Sequence, residues 1–514
     1  MDEAWQNSLS EPLARTVLAR ALEDLKQARD RLNQTSANSS RPPGSMPYWD
    51  KPDPQDDELL PQAISSPEEV ATDETASSPS EQQDHTTPPR KTASGNKPGK
   101  QPGAEGHGRT QKLAVIEISH RRPEVCAACG ETFTDDAPEQ AYTSWDTIEL
   151  LPLPEGEVGL KLGVTRQVLY EVGCACRHRT RAPHEQAPPD ELWGKVELGE
   201  WRLLGPRMAS LLVLLTLRFR LSRAKVQALL ADLFGLKIST GLIDKTIREA
   251  GRALAPLEDK IVEHIEQATL LHVDETSWPE AGKPLWLWVF VTTDTALYLI
   301  GYRDKEMIEN VLTGQFQGDL MTDGYAVYRA YLNRLRCWAH LVRKLVGLAE
   351  STDQRVASVG TQMHHAFDTL KKAIYAAREA EQPLASLASA NAAVMETLRQ
   401  LCEQHRDDRH GPLRRVAREF LYDWDVILRP VLEPWLPLTN NEAERALRHY
   451  VIARLISHGT RSEVGSRAFA LLASVIETCR RRGVSVLDFL GSAIAAARKG
   501  LALPELPEIQ AVAA

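Results

Sequence analysis

The chain has 514 residues, of which 42% are hydrophobic and 25% charged, and a formal net charge of −9. That length holds several domains with ample sequence for a large core. The longest apolar run, residues 208–217, is about half of what a membrane span needs, and the acidic start Met1-Asp2-Glu3 lacks the apolar stretch of a signal peptide, so a cytosolic protein with access to the nucleoid is expected.

The charge is unevenly spread. Residues 50–84 carry eleven acids against Lys51 alone, and the remainder of the chain is close to neutral. Residues 445–500 hold ten basic side chains and three acids, Glu463, Glu477 and Asp488. Clustered positive charge there reads either as a phosphate-binding surface or as a solvated helix face.

In chain order, residues 1–34 contain leucines at 18, 25 and 32 with Leu22 between. The stripe predicts a helix, either a short coiled coil or a plain amphipathic segment. Residues 35–112 are rich in Ser, Pro, Gly, Gln and charge, the composition of a disordered linker. Its end, residues 97–109, is basic and Gly-rich and reads as a flexible tether.

Residues 113–190 form a zinc-ribbon-like segment. Cys126 and Cys129 are two residues apart, Cys174 and Cys176 one residue apart, and a strand-like stretch separates the pairs. Four such thiolates can bind Zn²⁺ strongly enough to fold a small domain. The short second spacing leaves His178 as a substitute ligand, and free buried thiols are the alternative. Cys337, Cys402 and Cys479 are isolated and read as packing residues.

Residues 191–262 are helical and contain a helix-turn-helix pattern, with helices at 224–234 and 242–254 about a turn at 235–240. On the second helix Leu242, Ile243, Ile247 and Leu254 make an apolar face, and Lys245, Arg248 and Arg252 a basic one. DNA recognition and an ordinary core helix pair both fit.

Residues 263–460 should be the catalytic domain. A run at 268–273 stops at Asp274, and a short run at 319–322 stops at Asp323-Gly324. Residues 285–291 and 296–300 read as a strand pair across a polar turn, and residues 334–338 as a further buried strand. This order of strands and helices is that of a ribonuclease-H-like α/β core, in which ligands gather at the carboxyl ends of parallel strands. An all-α insertion is expected at about 341–430, returning Glu444 to the crevice, with a C-terminal helical region at 461–514. Overall the fold class is multidomain α/β plus α.

Asp274, Asp323 and Glu444 are the residue types that two Mg²⁺ ions need for phosphodiester chemistry, because Mg²⁺ prefers oxygen ligands. Each has an ordinary alternative. An Asp at a strand end also forms turns, and Asn441 with Glu444, or Thr439 with Glu442, matches a capping box. Glu442 and Glu444 point to nearly opposite sides of a helix, so only one can serve the site.

Four segments carry a resemblance: His272-Val273-Asp274-Glu275-Thr276; Thr322-Asp323-Gly324-Tyr325-Ala326-Val327-Tyr328; Cys337-Trp338-Ala339-His340-Leu341-Val342-Arg343-Lys344; and Asn440-Asn441-Glu442-Ala443-Glu444-Arg445-Ala446-Leu447-Arg448. Together, in this order and over residues 90–490, they resemble the insertion-sequence-sixty-six transposases. The resemblance implies a DDE transposase in which Asp274, Asp323 and Glu444 hold Mg²⁺ (or Mn²⁺). It favours Glu444 over Glu442, because the family acid immediately precedes the Arg. Thr439 departs from the Asp usual there. His340 matches a family position, where a structural hydrogen bond competes with a proton-transfer or phosphate-contacting role. Arg445 and Arg448 flank the acid, and Arg448, four residues on, offers either a helix salt bridge or DNA-backbone contact.

The expected activity is cleavage at the ends of an insertion sequence and joining of the freed 3′-OH to target DNA. Expected partners are double-stranded DNA at terminal repeats and target, a second copy of the chain, and accessory proteins of the same element, with no membrane. The alternatives are a catalytically silent DNA-binding descendant and a ribonuclease-H-like nuclease without strand transfer.

Overall fold

The computed structural model describes residues 11–32, 111, 113–312, 316–380 and 386–508. The predicted linker 35–112, with its basic end, therefore lies outside the described residues apart from Gln111.

Helix α1, Glu11–Leu32, lies against the helical insertion of its own chain. Lys26 donates to Asp353 at 2.9 Å, and Asp30 accepts from Ser351 and Thr352. The leucines 18, 22 and 25 of the heptad-like stripe are exposed.

The first sheet contains β1, Glu117–Arg121, β2, Glu139–Leu151, β3, Lys161–Gly173, and β4, Arg179–Arg181. Its order is β1-β3-β2, with β4 also on β3 and only the β1–β3 pair parallel.

Four helices follow: α2, Pro206–Val213; α3, Arg223–Phe234; α4, Thr240–Ala253; and α5, Leu257–Glu266. The expected helix-turn-helix boundaries hold for local reasons. Ser222 and Ser239 cap α3 and α4 by accepting from Lys225 N–H and Leu242 N–H, and Gly235 ends α3 in the left-handed region at φ 63°.

The second sheet comprises β5, Leu270–Glu280, β6, Lys283–Val291, β7, Ala296–Gly301, β8, Asp319–Thr322, and β9, Arg334–Arg336. A short helix α6, Lys305–Glu309, lies between β7 and β8. The order is β7-β6-β5-β8-β9. The β5–β6 and β6–β7 pairs are antiparallel, while β5–β8 and β8–β9 are parallel.

The insertion contains α7, Trp338–Ala349; α8, Gln354–Glu379; α9, Leu387–Ala390; α10, Ala392–His405; α11, Gly411–Tyr422; and α12, Trp424–Leu432. It has a core of its own, with Trp338, Phe367 and Phe420 at its centre. The chain then returns through α13, Asn441–Ser457, α14, Glu463–Arg481, and α15, Val486–Arg498.

One hydrophobic core runs through segments that read separately in sequence. It joins Ile148 and Val164 of the first sheet, Leu212 and Ile247 of the helices, Val273 and Phe290 of the second sheet, and Val475 and Ile494 of the C-terminal helices. Among the described residues no helix is long and apolar enough to cross a membrane.

Candidate active site

β5 differs from expectation in a way that matters for the site. The strand does not stop at Asp274 but continues to Glu280, paired throughout with β6. What stops is the parallel pairing with β8, which covers only Leu270, Leu271 and His272. Asp274 therefore sits just past the carboxyl end of the parallel pairing, the place where such sheets open a crevice. Asp323 follows the last residue of β8 directly. Its carboxylate accepts from Tyr325 N–H at 2.9 Å, closing a tight turn through Gly324 at φ 104°.

Alternation along β5 divides its side chains between two faces. His272, Asp274 and Thr276 face α13. There Asn440 donates to the Val273 carbonyl at 2.8 Å and accepts from His272 Nδ1 at 3.1 Å. The same Asn440 donates its backbone N–H to Cys337 Sγ. This fully buried residue ties β5, α13 and the start of α7 together, and the sequence reading assigned it no role. Glu275 points to the other face, with its carboxylate 1% exposed. Arg303 and the Tyr328 hydroxyl both donate to it, at 2.6 and 2.8 Å.

Glu444 lies in the first turn of α13, held by Ala443, Ala446, Leu447 and Tyr450 packing on β5–β7. It caps nothing. Asn441 is the first helical residue, and no side chain of the predicted capping boxes makes a cap bond. Glu442 points away and pairs with Arg445 at 2.8 Å and Arg481 at 3.2 Å.

The three acids meet electrostatically. Burial first, then the charges of Asp323, Glu275 and Glu444, push Asp274 well above the usual carboxylate range. His340, in the first turn of α7, brings Nδ1 to 3.7 Å from Glu444 Oε1. Both atoms are buried and without a hydrogen-bond partner, so the structural hydrogen bond expected for His340 is not made at Nδ1. Burial lowers the His340 imidazole despite the neighbouring Glu444, which keeps it neutral. Mutually repelling carboxylates beside two orphaned acceptor-type atoms are a donor set suited to a cation. Cys337, His340 and Glu444 also place their ligand atoms within 4.8 Å of one another.

The flanking arginines separate in role. Arg445 is exposed and paired with Glu442, while Arg448 is exposed and, among the described residues, joins no ion pair, including the expected one to Glu444.

Part of the predicted basic surface is internal. Arg252 is 8% exposed and donates to the Val196 and Pro188 carbonyls, so it does not share a solvent face with Lys245 and Arg248. Lys245 pairs with Glu197 at 3.4 Å and Arg248 with Asp244 at 2.7 Å. The reason is that α4 is packed on several sides within the shared core. In the C-terminal region Arg482 and Arg498 are buried, donating to Thr295 and Glu249, and Arg454 is committed to Thr276 and Ser277.

A second donor cluster lies far from the acids in sequence. The Sγ atoms of Cys129 and Cys174 are 3.5 Å apart, those of Cys126 and Cys176 3.7 Å, and all four fall in one group able to hold a metal ion. The backbone N–H of Cys129 lowers the Cys126 thiol to about 6. His178 contributes only its carbonyl, to Cys174 N–H, and the one-residue spacing of the second pair is no obstacle. Cys402 and Cys479 are buried, and burial pushes both thiols up to about 12.

Two proteins of Sinorhizobium fredii are similar to this chain. The uncharacterized protein y4qI is 25% identical over 308 residues, 53% of this chain and 56% of that protein. The uncharacterized protein y4jO is 28% identical over 159 residues, 31% of this chain and 47% of that protein. The chain thus spans about half the length of the curated relatives it matches. The model of the transposase IS66 family matches residues 202–468, just over half the chain and the stretch holding Asp274, Asp323 and Glu444, and the chain accordingly belongs to the IS66 family of transposases.

Proposed function

We propose that this chain is a metal-dependent DDE transposase that cleaves DNA at the ends of an insertion sequence and joins the freed 3′-OH to target DNA. The observation that carries the reading is that buried Asp274, midway along β5, lies within electrostatic reach of Asp323 at the end of β8 and of Glu444 on α13, with Glu444 Oε1 and His340 Nδ1 orphaned 3.7 Å apart. The sheet order β7-β6-β5-β8-β9, with its antiparallel and parallel halves, supports a ribonuclease-H-like core.

Asp274, Asp323 and Glu444 would hold Mg²⁺ or Mn²⁺. When bound, these ions supply positive charge that stabilises both the attacking and the leaving oxygen of phosphodiester exchange. Glu275, paired with Arg303, anchors Tyr328 and with it the loop after β8, which begins at Asp323. Neutral His340 holds or passes a proton beside Glu444. Arg445 and Arg448 present positive charge to the DNA backbone at the edge of the crevice. The four-cysteine cluster takes a structural Zn²⁺. Double-stranded DNA, a second copy of the chain and accessory proteins of the element are the partners this reading requires.

The test is cleavage and joining of labelled DNA carrying the element's ends, with Mg²⁺ and candidate accessory proteins. Asp274→Ala, Asp323→Ala and Glu444→Ala should each abolish both steps, and Glu442→Ala should stay active. If the wild type binds the ends but neither cuts nor joins, a DNA-binding descendant is the better account. Cutting without joining would indicate a nuclease.

A further inference from the structure

A cavity of about 500 Å³ lies between the helical segment and the C-terminal helices. Its charged lining consists of four arginines, Arg220, Arg223, Arg248 and Arg461, against the single acid Asp244. Asp244 is already shared by Arg223 at 2.8 Å and Arg248 at 2.7 Å. Arg220 and Arg461 join no ion pair among the described residues, and the Nε of Arg248 is buried without a hydrogen-bond partner. The lining is therefore short of negative charge. The rest of the wall is largely apolar and aromatic. It includes Ile247, Trp278 and Phe469, with the two rings stacked at 4.5 Å, and half-exposed Ile456.

Excess positive charge beside apolar and aromatic surface suits an anion that carries a flat apolar group. The volume falls within the roughly 300–1,000 Å³ of pockets that enclose small ligands and is too small for a duplex. A single nucleotide turned out of a DNA strand meets both conditions, with its phosphate on the arginines and its base against the apolar wall.

The position of the cavity fixes which nucleotide. Two elements run from the acid cluster to this wall. On β5, Trp278 lies four residues past Asp274, about 13 Å at a strand's rise. On α13, Ile456 lies twelve residues past Glu444, about 18 Å at a helix's rise. At about 3.4 Å per nucleotide along one strand, the cavity is about four or five nucleotides from the acids.

We propose that this cavity receives one extrahelical nucleotide of the bound DNA, about four or five positions from the phosphate at the acid cluster. The inference rests on the DNA-transposing reading above.

The test uses the full chain in Ca²⁺ and short fluorescein-labelled duplexes ending in a 3′-OH, either fully paired or with one bulged thymidine moved stepwise from that end. Affinity is read by anisotropy at constant salt. The wild type should bind the best bulged duplex about tenfold more tightly than the paired one, with the maximum at about the fourth or fifth position. Ile456→Trp fills the mouth at a half-exposed site that tolerates a larger side chain. It should abolish that preference and leave paired-duplex binding at the wild-type level, and Arg461→Ala should weaken the preference. Equal binding of bulged and paired duplexes by the wild type, a maximum at another position, or a preference that survives Ile456→Trp overturns the proposal. Failure of the wild type to bind either duplex overturns the DNA reading beneath it.

Discussion

Gly324 shows how one residue can hold a site in place. Its φ of 104° lies where L side chains rarely sit, and a Cβ there would fall 2.1 Å from Arg336 Nη2. Arg336 in turn donates to the Asp323 carbonyl at 3.4 Å. Gly324→Ala should therefore cost about 1–3 kcal/mol in chemical denaturation and reduce DNA cleavage by moving Asp323, and unchanged stability and activity would refute this. Asn440 is the second such residue. Asn440→Ala leaves the buried Val273 carbonyl and His272 Nδ1 unpaired, at a cost of about 1–3 kcal/mol, and a loss below that range would mean that the clamp is dispensable. Both residues stood inside recognisable motifs, yet their reasons were invisible there, because a positive φ and a clamp between distant segments are properties of the folded backbone.

At the scale of elements, the helices that follow β9 grip the second sheet through charge. Arg336 on β9 is 1% exposed and pairs with Asp423 and Glu419 from the insertion, and Lys344 donates to Glu419 at 2.8 Å. Asp423→Ala would leave Arg336 buried with one partner fewer, and about 3–5 kcal/mol of stability should be lost, as measured by denaturant unfolding. Acid should weaken the same element. Burial pushes the Asp408 and Glu419 carboxyls up, but Arg355 beside Asp408, and Lys344 with Arg336 beside Glu419, outweigh it and hold both below their ordinary range. A carboxylate depressed in the folded state contributes stability above its unfolded value and loses it as pH falls through the folded value. The melting temperature should thus fall progressively below about pH 4, and Asp408→Asn should flatten that dependence. A melting temperature that is level from pH 7 to 3 would contradict both assignments.

For the whole molecule, the decisive feature is the shared core. Ile148, Leu150 and Val164 of the cysteine-bearing sheet pack into the same cluster as the helices and the second sheet. If Zn²⁺ occupies the cysteine cluster, metal analysis should find about one zinc per chain. A chelator should then lower the temperature of one cooperative transition rather than release an independently melting domain. Two well-separated transitions in calorimetry would show that the sheet is autonomous.

Some of this protein was decided by its sequence alone. Strand and helix positions followed from local periodicity and capping residues such as Ser222 and Ser239, and the cysteine pairs from their spacing, while the three acids proposed for the site stand in motifs that each lie within a short stretch. These are short-range properties, and neighbouring residues suffice to set them. The tertiary structure decided what became of side chains whose partners lie far away in sequence. Arg252, Arg482 and Arg498 counted as basic surface until their carbonyl, hydroxyl and carboxylate partners appeared. β5 seemed to end at Asp274 until β6 was seen to carry it on to Glu280. Charge is neutralised and strands are extended by contacts between distant segments, and only folding brings those segments together.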